Sequence, residues 1–587
     1  MLETDPIGTG ASALNDGKDV VPVPICDIAS VDAEAARASF EAAINYHERE
    51  IVKIKRQLNK LSPIYRLPPE ILGTIFICVA RSVFDLTRPY GWIRLTHACY
   101  EWREVALHTP RLWSHIYLVR NLEFMREVFA RSKEAPLHVD ILSYETPEVV
   151  ELAFAHIHHT AVLQLRRGFE KAIGNIPFPP FAPVLGRLEL STEDPESPIA
   201  NMVLNCRMPE LFHLDVHSAA FLFPWSRPIF QNSLTHLTFS NTDRRMSAAL
   251  HEVLKVLSGM PTLKLVDFDD VLAPPLPSSL SACNTIHLPQ LEVLRLRGLC
   301  SGCTPFLQHI AYPCTTRLCI TVTRASHDLF VVLCREIASK LRSCDLTLRS
   351  LVIMPSSDNH RVIAWTEQIS AISLKTRAAE SGENGSILRI ARASEWARSF
   401  EPLTPILKIL SLSTIHTLSV EQDTLDSNRE ELFGAMPNIE GLSIICEYSY
   451  QIPRQIPALL AISTATTPLL RLRILVLVCI ALYRSSEDVQ NNELVEDFCE
   501  MFKSRKDAGH MIEELVLEHA TNVDQSGVDA ISRTVGKVVW DSDCVEWTSS
   551  YRWNAREFYD EDDEDYYGNG FESDEDSEMN WRPYSYD

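Results

Sequence analysis

Cys300, Cys303, Cys314 and Cys319 are the first residues whose spacing suggests chemistry, because a Cys-x2-Cys pair followed by two more thiols could hold zinc as a tetrathiolate. The second pair is loosely spaced and Cys319 falls in a stretch that reads as a strand, so buried, reduced thiols account for all four and no metal is expected. His156, His158 and His159 form a second cluster, but they cannot all face one site from a single helix and are read as the end of an ordinary surface helix. Catalytic patterns are missing as well. There is no glycine-rich loop ending in Lys-Ser or Lys-Thr, no His-Glu-x-x-His and no Gly-x-Ser-x-Gly, and Gly8-Thr9-Gly10 follows no strand. No catalytic residue and no cofactor are therefore assigned, and the chain is expected not to be an enzyme. A hydrolytic site without a known motif stays open as an alternative. Ser573 and Ser577 sit among acids, a setting that suits acid-directed kinases and makes them candidate phosphorylation sites.

The composition narrows the class further. The chain has 587 residues, 46% of them apolar and 23% charged, the balance of a globular protein with more than one structural unit or a repeat array. Its longest apolar run, Ile474 to Leu482, is well short of the ~20 residues a membrane-spanning helix needs, so no membrane association is expected. The first residues, MLETDPIGTG, lack the basic start of a secretory signal, and the 15 cysteines are scattered through apolar strings, which places the protein in the cytoplasm, the nucleus or both. A formal charge of −23 argues against nucleic-acid binding, which needs a basic surface. Residues 558–587 carry twelve acids against one arginine, a net of −11. Residues 546–587 are accordingly read as a disordered acidic tail interleaved with aromatics, and 1–29 as a disordered leader.

From Ser30, a candidate helix cap followed by Asp32 and Glu34, the pattern becomes periodic. Phe40, Ile44, His47, Ile51, Ile54, Leu58 and Leu61 recur with 4-3 spacing, making a narrow coiled-coil-like stripe over 30–62 that Pro63 ends. The stripe could pair with a second copy or fold back on the following helices. The shortness of the run, about three heptads, favours folding back. Leu67-Pro68-Pro69-Glu70-Ile71-Leu72-Gly73-Thr74-Ile75-Phe76 then opens a helix with apolar residues at helical spacing, and Trp92 to Ala106 predicts another, with Thr109-Pro110-Arg111-Leu112-Trp113 closing a small three-helix module.

The order of Leu-Pro-Pro-Glu-Ile-Leu, a following Ile-Phe, a Cys-x-x-Trp-Arg at Cys99–Arg103 and Pro-Arg-Leu-Trp resembles the F-box, here over 63–118, and the heptad helix before it is similar to that of F-box proteins of mushroom-forming (basidiomycete-type) fungi. Ala98 stands where the family usually has valine. The resemblance implies binding of the Skp adaptor and, through it, a cullin scaffold and a ubiquitin-charged conjugating enzyme. Leu67, Pro68, Glu70, Ile71, Ile75 and Phe76 would lie on or directly under the Skp-facing surface, with Leu95, Cys99 and Trp102 holding the second helix against them.

Beyond Trp113 the frame apolar-x-x-apolar-x-apolar recurs, as at Leu185/Leu188/Leu190, Leu211/Leu214/Val216, Leu234/Leu237/Phe239, Leu263/Val266/Phe268 and Leu291/Leu294/Leu296, and again from Leu348 to Leu517, with wide gaps near 353–420 and 477–517. Such a period means one strand and one return segment per repeat, and it resembles a degenerate leucine-rich-repeat solenoid over 119–545. The middle residue of each apolar-x-apolar would point away from the core. In order these are Glu189, Asp215, Thr238, Asp267 and Arg295, then Val352, Ser419, Ser443, Val476 and Val516, a row passing from charged to apolar. The first five are the candidate target-binding face; a merely solvated sheet face is the alternative. The fold class expected is thus α/β: an N-terminal helix and F-box module, a repeat solenoid and an acidic tail. The function expected is a substrate receptor of a Skp-cullin-F-box ubiquitin ligase that binds an unidentified protein target, the alternative being a scaffold that binds Skp without ligase turnover.

Overall fold

The computed structural model describes residues 33–541, apart from short stretches between elements, the longest of which are 242–248, 275–283, 394–403, 447–454 and 481–492. Ser30, Asp32, the leader and the tail with Ser573 and Ser577 lie outside the described residues. The chain divides into two compact units, Met1–Asp140 and Ile141–Asp587.

In the first unit the helix Ala33–Lys60 has Glu34 in its first turn and Lys60 in its last, both favourable to the helix dipole. Ser62 is extended and Pro63 opens a short 3-10 turn, Pro63–Arg66, that redirects the chain. The apolar stripe does not fold back on the helices that follow. Phe40, Ile44, Ile51, Ile54, Leu58 and Leu61 are 37–75% exposed, because the turn after Lys60 leaves contact with the module to the other side of the helix, where the Arg56 guanidinium lies 4.2 Å over the Tyr100 ring.

The helix Pro69–Ser82 buries Leu72, Gly73 and Phe76 along one side. Gly73 is needed there, since a Cβ would meet Thr109 Oγ1 at 2.9 Å. The single helix expected over Trp92–Ala106 is instead two pieces, a 3-10 helix Gly91–His97 and an α-helix Tyr100–Leu107. Cys99 separates them: its backbone is extended, and its sulfur caps the second piece by accepting the Trp102 N–H at 3.5 Å. Trp113 fixes the core of the module, with its ring 4.9 Å from that of Trp92 and its indole N–H donating to the Ala106 carbonyl at 2.8 Å. The unit also holds strand β1 (His115–Tyr117) and continues past residue 118 through the helix Leu122–Ser132 and strand β2 (Leu137–Ile141), whose His138–Asp140 run parallel to β1.

The second unit carries β3 (Thr160–Leu165), β4 (Arg187–Thr192), β5 (His213–Ser218), β6 (His236–Asn241), β7 (Leu265–Asp269), β8 (Ile286–His287), β9 (Val293–Leu299), β10 (Ile310–Ala311), β11 (Arg317–Thr323), β12 (Ser350–Pro355), β13 (Asn359–Trp365), β14 (Leu388–Ala393), β15 (Thr417–Glu421), β16 (Gly441–Ile445), β17 (Ile474–Val478), β18 (Glu514–Glu518) and β19 (Lys537–Trp540). Strands β8 and β10 pair separately, and the others build one long sheet that is parallel except at β13. Each apolar-x-apolar of the repeat frame lands in a strand with both apolar members buried, Leu188 and Leu190 in β4 through Leu515 and Leu517 in β18. These residues face helices such as Leu250–Leu257, which buries Leu250, Val253, Leu254 and Leu257, and Cys300–Gln308, whose Phe306 ring packs 5.7 Å from that of Phe268.

The expected degenerate leucine-rich-repeat solenoid is not what forms. A solenoid seats each strand beside its predecessor in the chain, whereas here the sheet runs β9–β11–β14–β13–β12–β15. After β12 the chain turns back as a hairpin, β13 lies antiparallel to β12 and β14, and β14 takes the place beside β11. Between β13 and β14 the helix Ala371–Ala379 covers the sheet face opposite the repeat helices, its Leu374 and Ala378 clustering with Val352 and Ile363 and its Ala371 with Val476 and Val516. The wide gap in the frame near 353–420 is this insertion.

Candidate functional site

In the F-box-like unit, helix periodicity splits one short sequence between core and surface. Phe76 is buried, with its ring 5.3 Å from that of Trp102, while Leu67, Pro68, Glu70, Ile71 and Ile75 are exposed on the same turn and helix. Leu95, Cys99 and Trp102 are half-buried, between that helix and solvent. Burial pushes the Cys99 thiol above its ordinary range, consistent with a packing and capping role. Tyr65 and Tyr100 join the exposed apolar surface. They escaped notice because aromatic residues at these positions are equally compatible with a core, and only the break at Cys99 turns Tyr100 outward.

In the second unit the hydrogen-bond register aligns one continuous row across the strands: Gln164, Glu189, Asp215, Thr238, Asp267, Arg295, Cys319 and Arg389, then Ile363, Val352, Ser419, Ser443, Val476 and Val516. The two halves differ in cover. Val352, Ser419, Ser443, Val476 and Val516 are buried, contrary to the outward-facing position expected of them, because they form part of a second core beneath the helix Ala371–Ala379 or beside it. The polar half keeps partial access to solvent: Asp215, Thr238, Asp267, Arg295, Cys319 and Arg389 are half-buried, and Glu189 is the most enclosed of this half, 9% exposed.

Charge pairing organises that half. Glu189 accepts hydrogen bonds from Gln164 Nε2 at 2.5 Å and Arg166 Nη1 at 3.0 Å, His217 Nε2 lies 3.0 Å from Asp215 Oδ1, and Arg295 Nη1 donates to Asp267 Oδ2 at 3.3 Å. The hydrogen bond to Asp215 raises the His217 pKa, and burial raises that of Asp267 despite Arg295. Arg389 is held below its ordinary pKa by burial and by its neighbours Arg361 and Arg295. The face therefore changes sign along the row, acidic at β4–β7 and basic at β9–β14. Cys319 and Arg389 were missed in the sequence because β11 and β14 lack the first apolar residue of the frame, with Thr315 and Gly385 in its place.

The cysteine and histidine clusters resolve differently. Among the described residues no three of Cys300, Cys303, Cys314 and Cys319 bring their sulfurs within 4.8 Å of one another. Cys300 and Cys303 are buried in one helix, and burial pushes the Cys303 thiol up to about 12, so it is held as a neutral thiol. The three histidines lie, as expected, at the end of a helix, although His158 and His159 belong to the turn that follows it. The helix Pro147–Ala155 ends at His156 and the chain tightens into a 3-10 turn, Ile157–His159, which places the rings of His158 and His159 4.4 Å apart and those of His156 and His159 5.2 Å apart.

An F-box-like family model matches residues 64–119, the stretch that holds the exposed Leu67, Ile71 and Ile75 and the buried Phe76, Trp102 and Trp113. The first unit thus contains an F-box-like domain, as the order of motifs implied. No curated protein matches the chain. No helix among the described residues is long and apolar enough to cross a membrane.

Proposed function

We propose that this chain is the substrate-receptor subunit of a Skp-cullin-F-box type ubiquitin ligase, with the F-box-like domain docking the Skp adaptor and the polar half of the sheet face holding a protein target. One observation carries the reading: a domain matching the F-box-like model leaves Leu67, Ile71 and Ile75 in solvent, at the positions the F-box resemblance assigns to the adaptor. Exposed aliphatic side chains on a rigid helix are what a partner's apolar surface would bury. Glu189, Asp215, Thr238, Asp267 and Arg295, extended by Cys319 and Arg389, form the target face, because this is the part of the row that the chain's own helix leaves uncovered. Such a receptor performs no chemistry itself; it raises the effective concentration of a target near the charged conjugating enzyme. Work of this kind suits the cytoplasm and the nucleus. The test is capture with the full chain from cell extract and with purified adaptor. Recovery of Skp with a cullin, lost in Ile71→Asp/Ile75→Asp, supports the reading. Skp without cullin points to a scaffold instead, and no Skp at all overturns both.

A further inference from the structure

We propose that the helix Ala33–Lys60 pairs, parallel and in register, with the same helix of a second copy of this chain, making the protein a homodimer. The inference does not depend on the ubiquitin-ligase reading. Its first support is that the stripe at 4-3 spacing, the period of a left-handed two-stranded coiled coil, is left in solvent. Ile54, Leu58 and Leu61 are 67%, 65% and 75% exposed, an unusual state for three successive seam positions in an isolated protein.

The second support is how the helix is mounted. Among the described residues, the Arg56 guanidinium packs against the module, 4.2 Å over the Tyr100 ring. At about 100° per residue, Arg56 lies about 200° around the helix from both Ile54 and Leu58. The module therefore grips the back of the helix and holds the seam outward, where a second helix can approach.

The third support selects the occupant. Taking Ile44, Ile51 and Leu58 as the first core position of each heptad and Phe40, His47, Ile54 and Leu61 as the second, the flanking residue before each first position faces, in a parallel dimer, the one five residues on in the other chain. Glu50 then faces Lys55 of the second copy, twice by symmetry. Ala43 faces Glu48, and the position opposite Gln57 falls beyond the end of the helix, so no like charges meet across the seam. Glu50 now pairs with Lys53 of its own helix at 2.7 Å, an exposed contact that is easily exchanged. His47 is the one polar member of the stripe. Paired with itself in register it weakens the dimer, and like other single polar core residues it helps to fix the alignment.

The experiment is sedimentation velocity on the full chain over a wide concentration range. A concentration-dependent dimer is expected, lost in Ile51→Asp/Ile54→Asp, whose exposed positions leave the fold intact by circular dichroism. His47→Ile should tighten the dimer about tenfold or more, as expected when a polar core residue is replaced by an apolar one. Glu50→Lys and Lys55→Glu should each weaken it, and the double swap should restore it. A chain that stays monomeric at every concentration overturns the proposal, as does a dimer indifferent to the seam substitutions. A dimer that the double swap fails to restore overturns the parallel alignment.

Discussion

The rings of Phe76 and Trp102 lie 5.3 Å apart at an interplanar angle of 55°, and the residue before Phe76, Ile75, is in solvent. One step along a helix thus separates a residue that holds the module together from one available to a partner, and substitutions at the two should fail in different ways.

Phe76→Ala is expected to destabilise the first unit by about 3–5 kcal/mol, the usual range for emptying a buried aromatic site. Ile75→Asp should change stability by less than about 0.5 kcal/mol, as surface substitutions do, yet abolish adaptor capture. Hydrogen exchange of peptides from residues 69–113, measured beside capture, separates the two effects. Equal loss of protection in both variants would refute the division of roles.

Two histidines make stability depend on pH. Burial, then the neighbours His138 and Arg81, lower His115 to about 4; burial, then Arg187 and the His236 stacked 5.1 Å away, lower His213 to about 4. An unfolded imidazole takes up its proton near 6.5, so between roughly pH 6.5 and 4 the unfolded chain binds a proton that the native site resists. Stability from each site is complete above that window and is lost as pH falls through it. After solvent screening, about 1–2 kcal/mol per site is expected. Urea unfolding at pH 7 and pH 5, followed in His115→Asn and His213→Asn, checks this: each substitution should flatten the dependence in its own unit.

Ser419 and Ser443 are fully buried in the row near the helix Ala371–Ala379, and their hydroxyls have no hydrogen-bond partner among the described residues. A buried, unsatisfied hydroxyl is unfavourable by about 1–3 kcal/mol. Ser419→Ala and Ser443→Ala are therefore expected to stabilise the second unit by about 1 kcal/mol each, read as a raised urea midpoint. A fall in the midpoint would mean the hydroxyls are satisfied in solution.

These serines also mark where sequence reasoning stopped. The repeat frame located strands through Leu188/Leu190 or Leu475/Leu477 because a buried apolar pair on alternate residues is a local signal. It could not show that Val352 and Val476 face a second core, since the covering helix Ala371–Ala379 lies 19 residues or more from Val352 and comes from an insertion without the frame. Nor could it order β11, β14, β13 and β12, because pairing across an insertion is decided by packing and not by any local pattern. The helix Pro69–Ser82 was legible for the opposite reason. Leu67 to Phe76 is one continuous turn-and-helix segment, so the division between Ile75 and Phe76 follows from helix period alone. The break at Cys99 was not legible, since the apolar spacing from Trp92 to Ala106 fits a helix throughout.

Close contact between the covering helix and the sheet depends on Gly441, the first residue of β16. A Cβ placed there would stand 3.1 Å from the Ala371 Cβ and 3.4 Å from Thr417 Cγ2. Gly441→Ala must therefore push the helix outward or strain the strand, and about 1–3 kcal/mol of destabilisation is expected from such overpacking. Removing the opposing methyl with Ala371→Gly relieves the clash, although glycine in a helix costs up to about 1 kcal/mol by itself. The double variant should then be more stable than the sum of the single effects allows, by about 0.5 kcal/mol or more, the coupling typical of residues in contact. Urea unfolding of the four proteins of this cycle measures the coupling directly. Strict additivity would mean that the helix does not rest on Gly441 in solution, and the apolar half of the row would then be open to a partner.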